Sequence, residues 1–325
     1  MNYTCQEHFS ALAVFLLSIY FNMRLRFLIA ISLSSLTAID LPARQSSTKW
    51  IMLNITPAQA QADCHLLQLP DGSNILIDAG EAWDAPNVAV ALLRKLGVHR
   101  ISMVIISHFH KDHYGQLVPI IRAGIAIDKV ILNVPDKRSA DLEIPWGCDL
   151  NDVQSVLAEL RARKIPYTTP KAGDRIYEYK TRDRVIVSLD IICAYDGVHS
   201  PIGLTDVNDT SIVLRLSHGP TRVLFSGDLN QKLGAYLVAS GVDLRADILK
   251  APHHGAETTV PDAFYTKVHA SAVLVPASKA LWLSARCMRT RNYFYNAGVP
   301  AYVSGLRGNV TVTMTSKGYK IEAEH

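Results

Sequence analysis

Three histidines and one aspartate fall within six residues of the segment Ser107-His108-Phe109-His110-Lys111-Asp112-His113-Tyr114-Gly115, called the metal loop below. The run before it, residues 101–106, is mostly apolar and β-branched, which is typical of a strand covered on both faces. Imidazole and carboxylate groups at the end of a buried strand are suitable ligands for first-row metal ions. We therefore interpret the segment as a metal site and not as a solvated polar loop with chance histidines.

The spacing within the metal loop predicts two groups of ligands. Residues i and i+2 of an extended loop point the same way, so His108 and His110 are predicted to hold one ion. Asp112 and His113 follow where the chain turns into a helix, and they are predicted to face a second ion.

The pattern His-x-His-x-Asp-His after a hydrophobic strand resembles the signature of the metallo-β-lactamase superfamily. The resemblance covers about Lys49 to the C-terminus. It implies an α/β fold, a four-layer αββα sandwich, with a dinuclear hydrolytic site. The implied cofactor is Zn2+, two ions per chain, with Mn2+ and Fe2+ as alternatives.

Length and composition agree with a folded enzyme. The 325 residues suffice for one large domain or two small ones, and 49% hydrophobic with 19% charged residues is typical of a globular protein. The net charge of +4 is compatible with an anionic substrate but too weak to indicate nucleic-acid binding by itself. The five cysteines lack the spacing of metal-binding motifs and are interpreted as isolated core thiols. The alternative is that one pair forms a disulfide in an oxidising compartment.

The N-terminal residues 1–38 are predicted to be a signal peptide or an N-terminal anchor. If Met23 is the true start, Arg24 and Arg26 form a basic region ahead of the short apolar core 27–33, and small residues then suit cleavage. The alternative is an uncleaved anchor that begins at Met1. We favour export to the periplasm or the exterior, with cleavage preferred over anchoring.

The remaining chain is predicted to be a linker, 39–48, and one hydrolase domain, 49–325, in which two stacked sheets carry helices outside. The predicted strands are 50–55, 64–69, 74–78, 101–106, 130–134, 184–193, 211–216, 222–226, 246–250, 272–276, 302–303 and 310–314. The predicted helices are 87–96, 115–123, 149–163, 229–239 and 285–297.

The resemblance assigns roles to four further residues. Asp228 is implied as a carboxylate that bridges both metals through its two oxygens, although its position also suits a helix N-cap. One of His253 and His254 is implied as the last ligand. We favour His254, with His253 beside it or at the substrate. Asp78 is implied to orient the ligands, the alternative being an ordinary strand-end turn residue.

A histidine that many members of the superfamily carry between the first motif and the Gly-Asp is not obvious here. His199 is a candidate metal ligand because it lies in a loop at the predicted end of a strand. His218 lies at the wrong end of its hairpin and is predicted to be on the surface.

Later segments resemble one branch of the superfamily, the soluble hydrolase domain of competence DNA-uptake (ComEC-type) proteins. They are 208–216, 224–228 and 248–255, and Gln61-Ala62-Asp63 is similar to that branch's Gly-Gln-Gly-Asp. The branch is linked to phosphodiester chemistry, has secreted phosphorylcholine esterases among its relatives, and often lacks the middle histidine. The membrane channel of the competence proteins is missing from this sequence, so a role in uptake does not carry over.

We therefore predict an exported hydrolase that cleaves phosphodiester bonds by attack of a metal-bound hydroxide, with Asp112, His254 and His253 as catalytic groups. Its substrate is predicted to be a small or polymeric anion, nucleic acid included, and no obligate protein partner is evident. The alternatives are an acyl hydrolase of lactams or lactones and a degenerate, non-catalytic metal-binding protein. Candidate phosphate-binding residues, which a solvated basic helix would equally explain, are Lys279, Arg286, Arg289 and Arg291.

Overall fold

The computed structural model of the chain describes residues 46–56, 60–82, 87–143, 148–256 and 259–325. The predicted targeting segment 1–38 and the linker as far as residue 45 lie outside the described residues. In the described ranges, no helix is both long enough and apolar enough to span a bilayer.

Seventeen strands are described. Those of the first half are β1 Thr48–Met52, β2 His65–Gln68, β3 Asn74–Ile77, β4 Arg100–Ile101, β5 Met103–Ile106, β6 Ala126–Ile127, β7 Val130–Leu132 and β8 Tyr167–Thr168. Those of the second half are β9 Arg175–Lys180, β10 Ile186–Cys193, β11 Val213–His218, β12 Thr221–Phe225, β13 Ile248–Lys250, β14 Ala272–Val275, β15 Ala301–Val303, β16 Val310–Thr315 and β17 Gly318–Ala323.

The described helices are α1 Val88–Lys95, α2 Lys111–Tyr114, α3 Leu117–Arg122, α4 Lys137–Ala140, α5 Leu150–Ala162, α6 Gln231–Ala239, α7 Asp262–Val268, α8 Lys279–Leu283, α9 Met288–Asn296 and α10 Ser304–Arg307. Short 3₁₀ turns cover Asp141–Glu143, Asn208–Thr210, Pro252–Gly255 and Ala285–Cys287.

The strands form two large sheets. The first has the order β17-β16-β1-β2-β3-β5-β7-β8 and the second the order β15-β14-β13-β12-β11-β10-β9, while β4 and β6 form a separate pair. Strands β3, β5, β7 and β8 run parallel in the first sheet, as do β12 to β15 in the second. The carboxyl ends of parallel strands meet at one edge of a sheet, which is where ligands bind in such sheets.

Three buried clusters make this arrangement a four-layer sandwich. Trp50 of the first sheet packs on Phe225 of the second, with ring centroids 4.7 Å apart, in the cluster between the sheets. The outer face of the first sheet is covered by α1, α3 and α5, and that of the second by α6, α7 and α9. The predicted αββα architecture is therefore confirmed.

Four described strands lie outside the predicted runs, β6, β8, β9 and β17, and the longest of them, β9 and β17, each form an edge of a large sheet. Both carry charged or polar side chains along most of their length and are largely exposed, so they lack the apolar pattern of a buried strand. The predicted run 101–106 is also divided, because Ser102 turns away to bond the Asn74 carbonyl and β4 pairs with β6 instead of joining the sheet. The predicted helix 115–123 is shorter in the structure, where α3 covers Leu117–Arg122. A separate turn of helix, α2, precedes it inside the metal loop.

The four cysteines in the described residues, Cys64, Cys148, Cys193 and Cys287, are all free thiols. This confirms the interpretation as isolated thiols for that part of the chain.

Candidate metal centre

Three strand ends meet at one edge of the sandwich. Strand β5 ends at Ile106 and runs directly into the metal loop, β12 ends before Gly227-Asp228, and β13 ends at Lys250 before the turn 252–255. The metal loop comes from the first sheet, while Asp228 and the His253-His254 pair come from the second. The fold thus brings together residues that lie more than 140 positions apart in the sequence.

Asp78 lies beneath the metal loop in a left-handed backbone conformation, with φ of 57°. Its carboxylate accepts hydrogen bonds from the Ser107 amide at 2.7 Å and the Ser107 hydroxyl at 2.8 Å. It also lies 2.9 Å from Nδ1 of His113. A buried carboxylate that holds the far nitrogen of an imidazole fixes the ring and its tautomer, as is common for metal-binding histidines.

Four ligand-type side chains, Asp112, His113, Asp228 and His254, surround one point. Oδ2 of Asp228 lies 3.2 Å from Nε2 of His113 and 3.0 Å from Nε2 of His254. Nε2 of His254 is also 3.2 Å from Oδ2 of Asp112. Ligand atoms that share one ion at about 2.0–2.2 Å lie roughly 3–3.5 Å from each other, so these spacings fit a common cation.

The two imidazoles of this group present free nitrogens to that point. Nδ1 of His113 is held by Asp78, and Nδ1 of His254 lies 3.1 Å from the Pro276 carbonyl oxygen. Neither Nε2 atom makes a hydrogen bond of normal geometry, although both rings are completely buried. Buried nitrogens that face carboxylates without a well-formed hydrogen bond are costly, and a metal bound between them would satisfy both.

Charge interactions in the group support the same conclusion. Burial acts to lower the pKa values of His113 and His254, but neighbouring carboxylates, Asp228 foremost, raise them well above the ordinary value. Burial likewise acts to raise the pKa of Asp228, yet the His113 and His254 imidazoles and Lys250 hold it well below its usual range. Without a cation the imidazoles carry protons, and a metal ion would take the place of those protons.

His108 and His110, the other two predicted ligands of the metal loop, lie as a pair next to this group. Nε2 of His108 faces Nδ1 of His110 at 3.1 Å, and the rings of His108 and His113 are 4.1 Å apart. The far nitrogen of His108 contacts the hydroxyls of Ser107 at 3.1 Å and Ser211 at 3.4 Å. The structure therefore brings together every ligand predicted from the metal loop.

The pair His253-His254 occupies an unusual turn. Their φ angles are 46° and 53°, a left-handed conformation that costs about 1–2 kcal/mol for each non-glycine residue. The turn points the two rings differently. His254 is completely buried among the ligands, whereas His253 is 16% exposed at the rim, with its Nε2 4.0 Å from Oδ2 of Asp228. This placement agrees with the preference for His254 as ligand.

A match of the sequence to a known protein family agrees with the geometry of this site. The sequence model of the metallo-beta-lactamase superfamily matches residues 58–285. The chain belongs to the metallo-β-lactamase superfamily. The predicted fold and the predicted superfamily are thus confirmed, and its buried groups of histidines and aspartates fit the metal sites of such a protein.

Individual relatives of this metallo-β-lactamase superfamily member are distant. ComE operon protein 3 of Bacillus subtilis (strain 168) is 21% identical over 192 residues, which are 59% of this chain and 22% of that protein. The chain therefore spans about a fifth of that relative's length, and the match supports the competence-protein branch.

Similar solved structures include the metallo-β-lactamase fold protein YhfI from Bacillus subtilis, 13% identical, with a TM-score of 0.46 over 79% of this chain and 96% of that one. They also include CmlA, a diiron β-hydroxylase from Streptomyces venezuelae, 11% identical, with a TM-score of 0.47 over 82% and 54%.

Several residues of this metallo-β-lactamase site were not singled out from the sequence. Asp63 and Lys250 form a completely buried ion pair beneath Asp228 and His254. Glu143 accepts a hydrogen bond from Nε2 of His110 at 2.6 Å, and Asn230 contacts Nδ1 of His253 at 3.1 Å. Two signals were available: Asp63 ends the Gln-Ala-Asp segment, and Lys250 is a lysine at the end of an apolar strand, where lysine is rarely buried.

The two candidates for a middle histidine lie elsewhere. The His199 side chain is 81% exposed and pairs with Asp196 at 2.7 Å, outside the ligand groups formed by the described residues. The surface prediction for His218 is wrong. The residue is completely buried, and its Nδ1 lies 2.8 Å from the Thr48 hydroxyl, because the first strand of the first sheet covers this end of the hairpin.

The basic candidates for phosphate binding differ in their environments. Arg289 pairs with Asp262 at 2.6 Å and donates to the Val260 carbonyl at 2.6 Å, so it fastens α9 to α7. Arg291 donates to the carbonyls of Trp282 and Ser284. Lys279, at the start of α8, and Arg286 are exposed.

Proposed function

We propose that this chain is an exported metal-dependent hydrolase that cleaves phosphodiester bonds with two divalent cations, zinc foremost. The observation that supports this proposal is the position of Asp228 in the ligand group with Asp112, His113 and His254, next to the pair His108 and His110. Its Oδ2 faces His113 and His254. Burial and the neighbouring imidazoles lower the pKa of His108, and the negative charge of Asp228 acts in the opposite direction. A dinuclear arrangement of this kind suits in-line displacement at phosphorus.

The residues divide between the two proposed ions. His108, His110 and Asp228 would hold one, and Asp112, His113, His254 and Asp228 the other. Bound cations would supply an activated water at neutral pH and neutralise charge on the phosphate. Glu143 keeps Nδ1 of His110 facing His108, because it engages Nε2 on the opposite side of the ring.

His253 is the proposed proton-transfer group. Asn230 donates from Nδ2 to Asp206 at 2.8 Å, which directs its Oδ1 toward Nδ1 of His253. The hydrogen of the neutral ring is therefore on Nδ1, and Nε2 presents a lone pair to the site. Burial, the main cause, lowers the pKa of His253 to about 4, so the ring is neutral at pH 7. Nε2 of His253 would accept a proton from the attacking water and then donate it to the leaving-group oxygen.

The proposed substrate is an anion, small or polymeric, with nucleic acid as one candidate. The net charge of +4 and the relation to a competence protein favour this class. In the ligand groups of the described residues, no histidine comes from the segment between His113 and Asp228. Many lactam hydrolases of the superfamily rely on that histidine, so its absence from the groups favours the phosphodiesterase over the acyl hydrolase.

Turnover of bis-p-nitrophenyl phosphate and of nitrocefin by the metal-loaded protein tests the proposal. We expect hydrolysis of the phosphodiester and its loss in Asp228→Ala, whereas Asp243→Ala, which removes a half-exposed aspartate at the opposite sheet edge, should keep the activity. Activity on nitrocefin alone would establish the acyl hydrolase instead. Metal binding without turnover of either compound or of DNA would indicate a non-catalytic metal-binding protein.

A further inference from the structure

Lys250 is an ammonium group enclosed beneath a proposed cation site. It lies at the end of β13 with 1% of its side chain exposed. Its Nζ donates to the Gly227 carbonyl at 2.9 Å, lies 3.2 Å from Oδ1 of Asp228, and forms an ion pair with Asp63. A buried lysine is tolerated only when its charge is paired, and here two carboxylates and a carbonyl surround it.

The two oxygens of Asp228 consequently have separate partners. Oδ1 faces Lys250, whereas Oδ2 faces Nε2 of His113 and Nε2 of His254. The backbone of the same residue is also held, since its amide donates to the Ser211 hydroxyl at 2.9 Å. Rotation of the carboxylate would break the contact with Lys250, so Oδ2 is the oxygen that the side chain presents to His113 and His254.

Asp63 extends this contact to a second ligand. Its Oδ2 pairs with Lys250, and its Oδ1 lies 3.2 Å from Nδ1 of His254. Its amide donates to the Asp112 carbonyl at 3.0 Å, which ties the metal loop to the same pair. Asp63 and Lys250 thus contact two residues of the proposed metal site, Asp228 and His254, and Asp63 also lies close to His113 in a second buried group with Asp78.

We infer that Lys250 and Asp63 are positioning residues of the proposed metal centre, which hold Asp228 with its Oδ2 toward His113 and His254 and fix the ring of His254. The resemblance implies one oxygen of Asp228 for each ion, and this arrangement would instead place Oδ1 against Lys250. The inference rests on the metal site of the proposed function and is independent of the substrate.

Electrostatics and positioning make opposite predictions for Lys250→Met. Removal of a cation close to bound cations strengthens their binding if charge alone matters. Loss of the contact with Oδ1 frees Asp228 to rotate and weakens binding if the lysine positions it. Mutation of a residue that contacts a metal ligand from behind typically changes metal affinity by about 10–100-fold. A measurement of affinity therefore separates the electrostatic effect from the positioning effect.

The experiment measures Zn2+ affinity by chelator competition and metal content by elemental analysis, together with the absorption spectrum of the Co2+ form. We expect Lys250→Met to bind metal at least about tenfold more weakly than the wild type, with a changed Co2+ spectrum. Lys320→Met is the matched control, because that lysine is 72% exposed and pairs with Glu322 on the edge strand β17. Unchanged or tighter binding in Lys250→Met would overturn the inference.

A second variant covers the case in which Lys250→Met does not fold. Asp63→Asn combined with Lys250→Met removes one charge of each sign, so electrostatics alone predicts unchanged affinity. We expect the same weakening as in the single variant, and wild-type affinity with a wild-type Co2+ spectrum would contradict the positioning role. A wild type that binds two ions but hydrolyses no phosphodiester would refute the proposed function and leave this inference standing.

Discussion

At the scale of the residue, neighbouring side chains of the same type have different environments. His253 and His254 are adjacent in sequence, yet the left-handed turn buries one ring among carboxylates and leaves the other at the rim. The raised pKa of His254 and the lowered pKa of His253 reflect that difference, since Asp228 and Asp63 surround the first and burial dominates for the second. Residue identity alone assigns both the same chemistry.

Substitution of the two histidines separates their roles. We expect His254→Ala to lose about one metal ion per chain, because its Nε2 belongs to the four-ligand group. His253→Ala should retain both ions but hydrolyse the phosphodiester about 10²–10⁴-fold more slowly, the usual range for loss of a proton-transfer group. Elemental analysis and turnover measure the two effects, and loss of metal from His253→Ala would reverse the assignment.

At the scale of the element, the segment between β10 and β11 carries a buried acid group, Asp209, beside the site. Asp209 is 2% exposed and accepts hydrogen bonds from the backbone amide of Asn230 at 2.8 Å and the Thr205 hydroxyl at 3.0 Å. Burial, followed by the nearby charge of Asp206, raises its pKa to about 6. Ionisation of Asp209 therefore lowers the stability of the folded state.

The raised pKa of Asp209 predicts how folding stability varies with pH. The protonated carboxyl favours the folded state below pH 4, and this contribution is lost as the pH rises through about 6, a cost of roughly 3 kcal/mol at pH 7. Asp209→Asn keeps an acceptor without the charge, so we expect its unfolding free energy to fall less than that of the wild type between pH 4 and pH 7. Denaturant unfolding at several pH values measures this, and parallel pH profiles would contradict it.

At the scale of the whole molecule, the metal centre joins the two sheets. The metal loop follows a strand of the first sheet, and Asp228 and His254 follow strands of the second. Elsewhere the sheets pack through the apolar cluster that includes Trp50 and Phe225, and Thr48 contacts His218 between them. Bound ions would therefore oppose separation of the two layers.

Removal of metal should lower the thermal stability of the protein. A ligand that binds only the folded state at 100 times its Kd adds about 2.7 kcal/mol, which corresponds to a Tm change of roughly 5–10 °C for a domain of this size. We expect a chelator to lower the Tm by this amount and added Zn2+ to restore it. The variant Asp228→Ala is the control, since its Tm should respond much less to either treatment.

The sequence by itself determined the fold class, the metal loop, most of the described strands and half of the described helices, because these depend on local patterns. A buried strand must be apolar, and ligands next to each other in a loop are recognisable by spacing. The outer strands β9 and β17 escaped recognition because their exposed side chains need no apolar pattern.

Only the tertiary structure decided which distant residues complete the site. The burial of Lys250 between Asp63 and Asp228, the contact of Glu143 with His110 and the burial of His218 against Thr48 all depend on strands that are far apart along the chain. The physical reason is that long-range pairing of charges has no periodic signature in sequence, since it arises from the stacking of one sheet on the other.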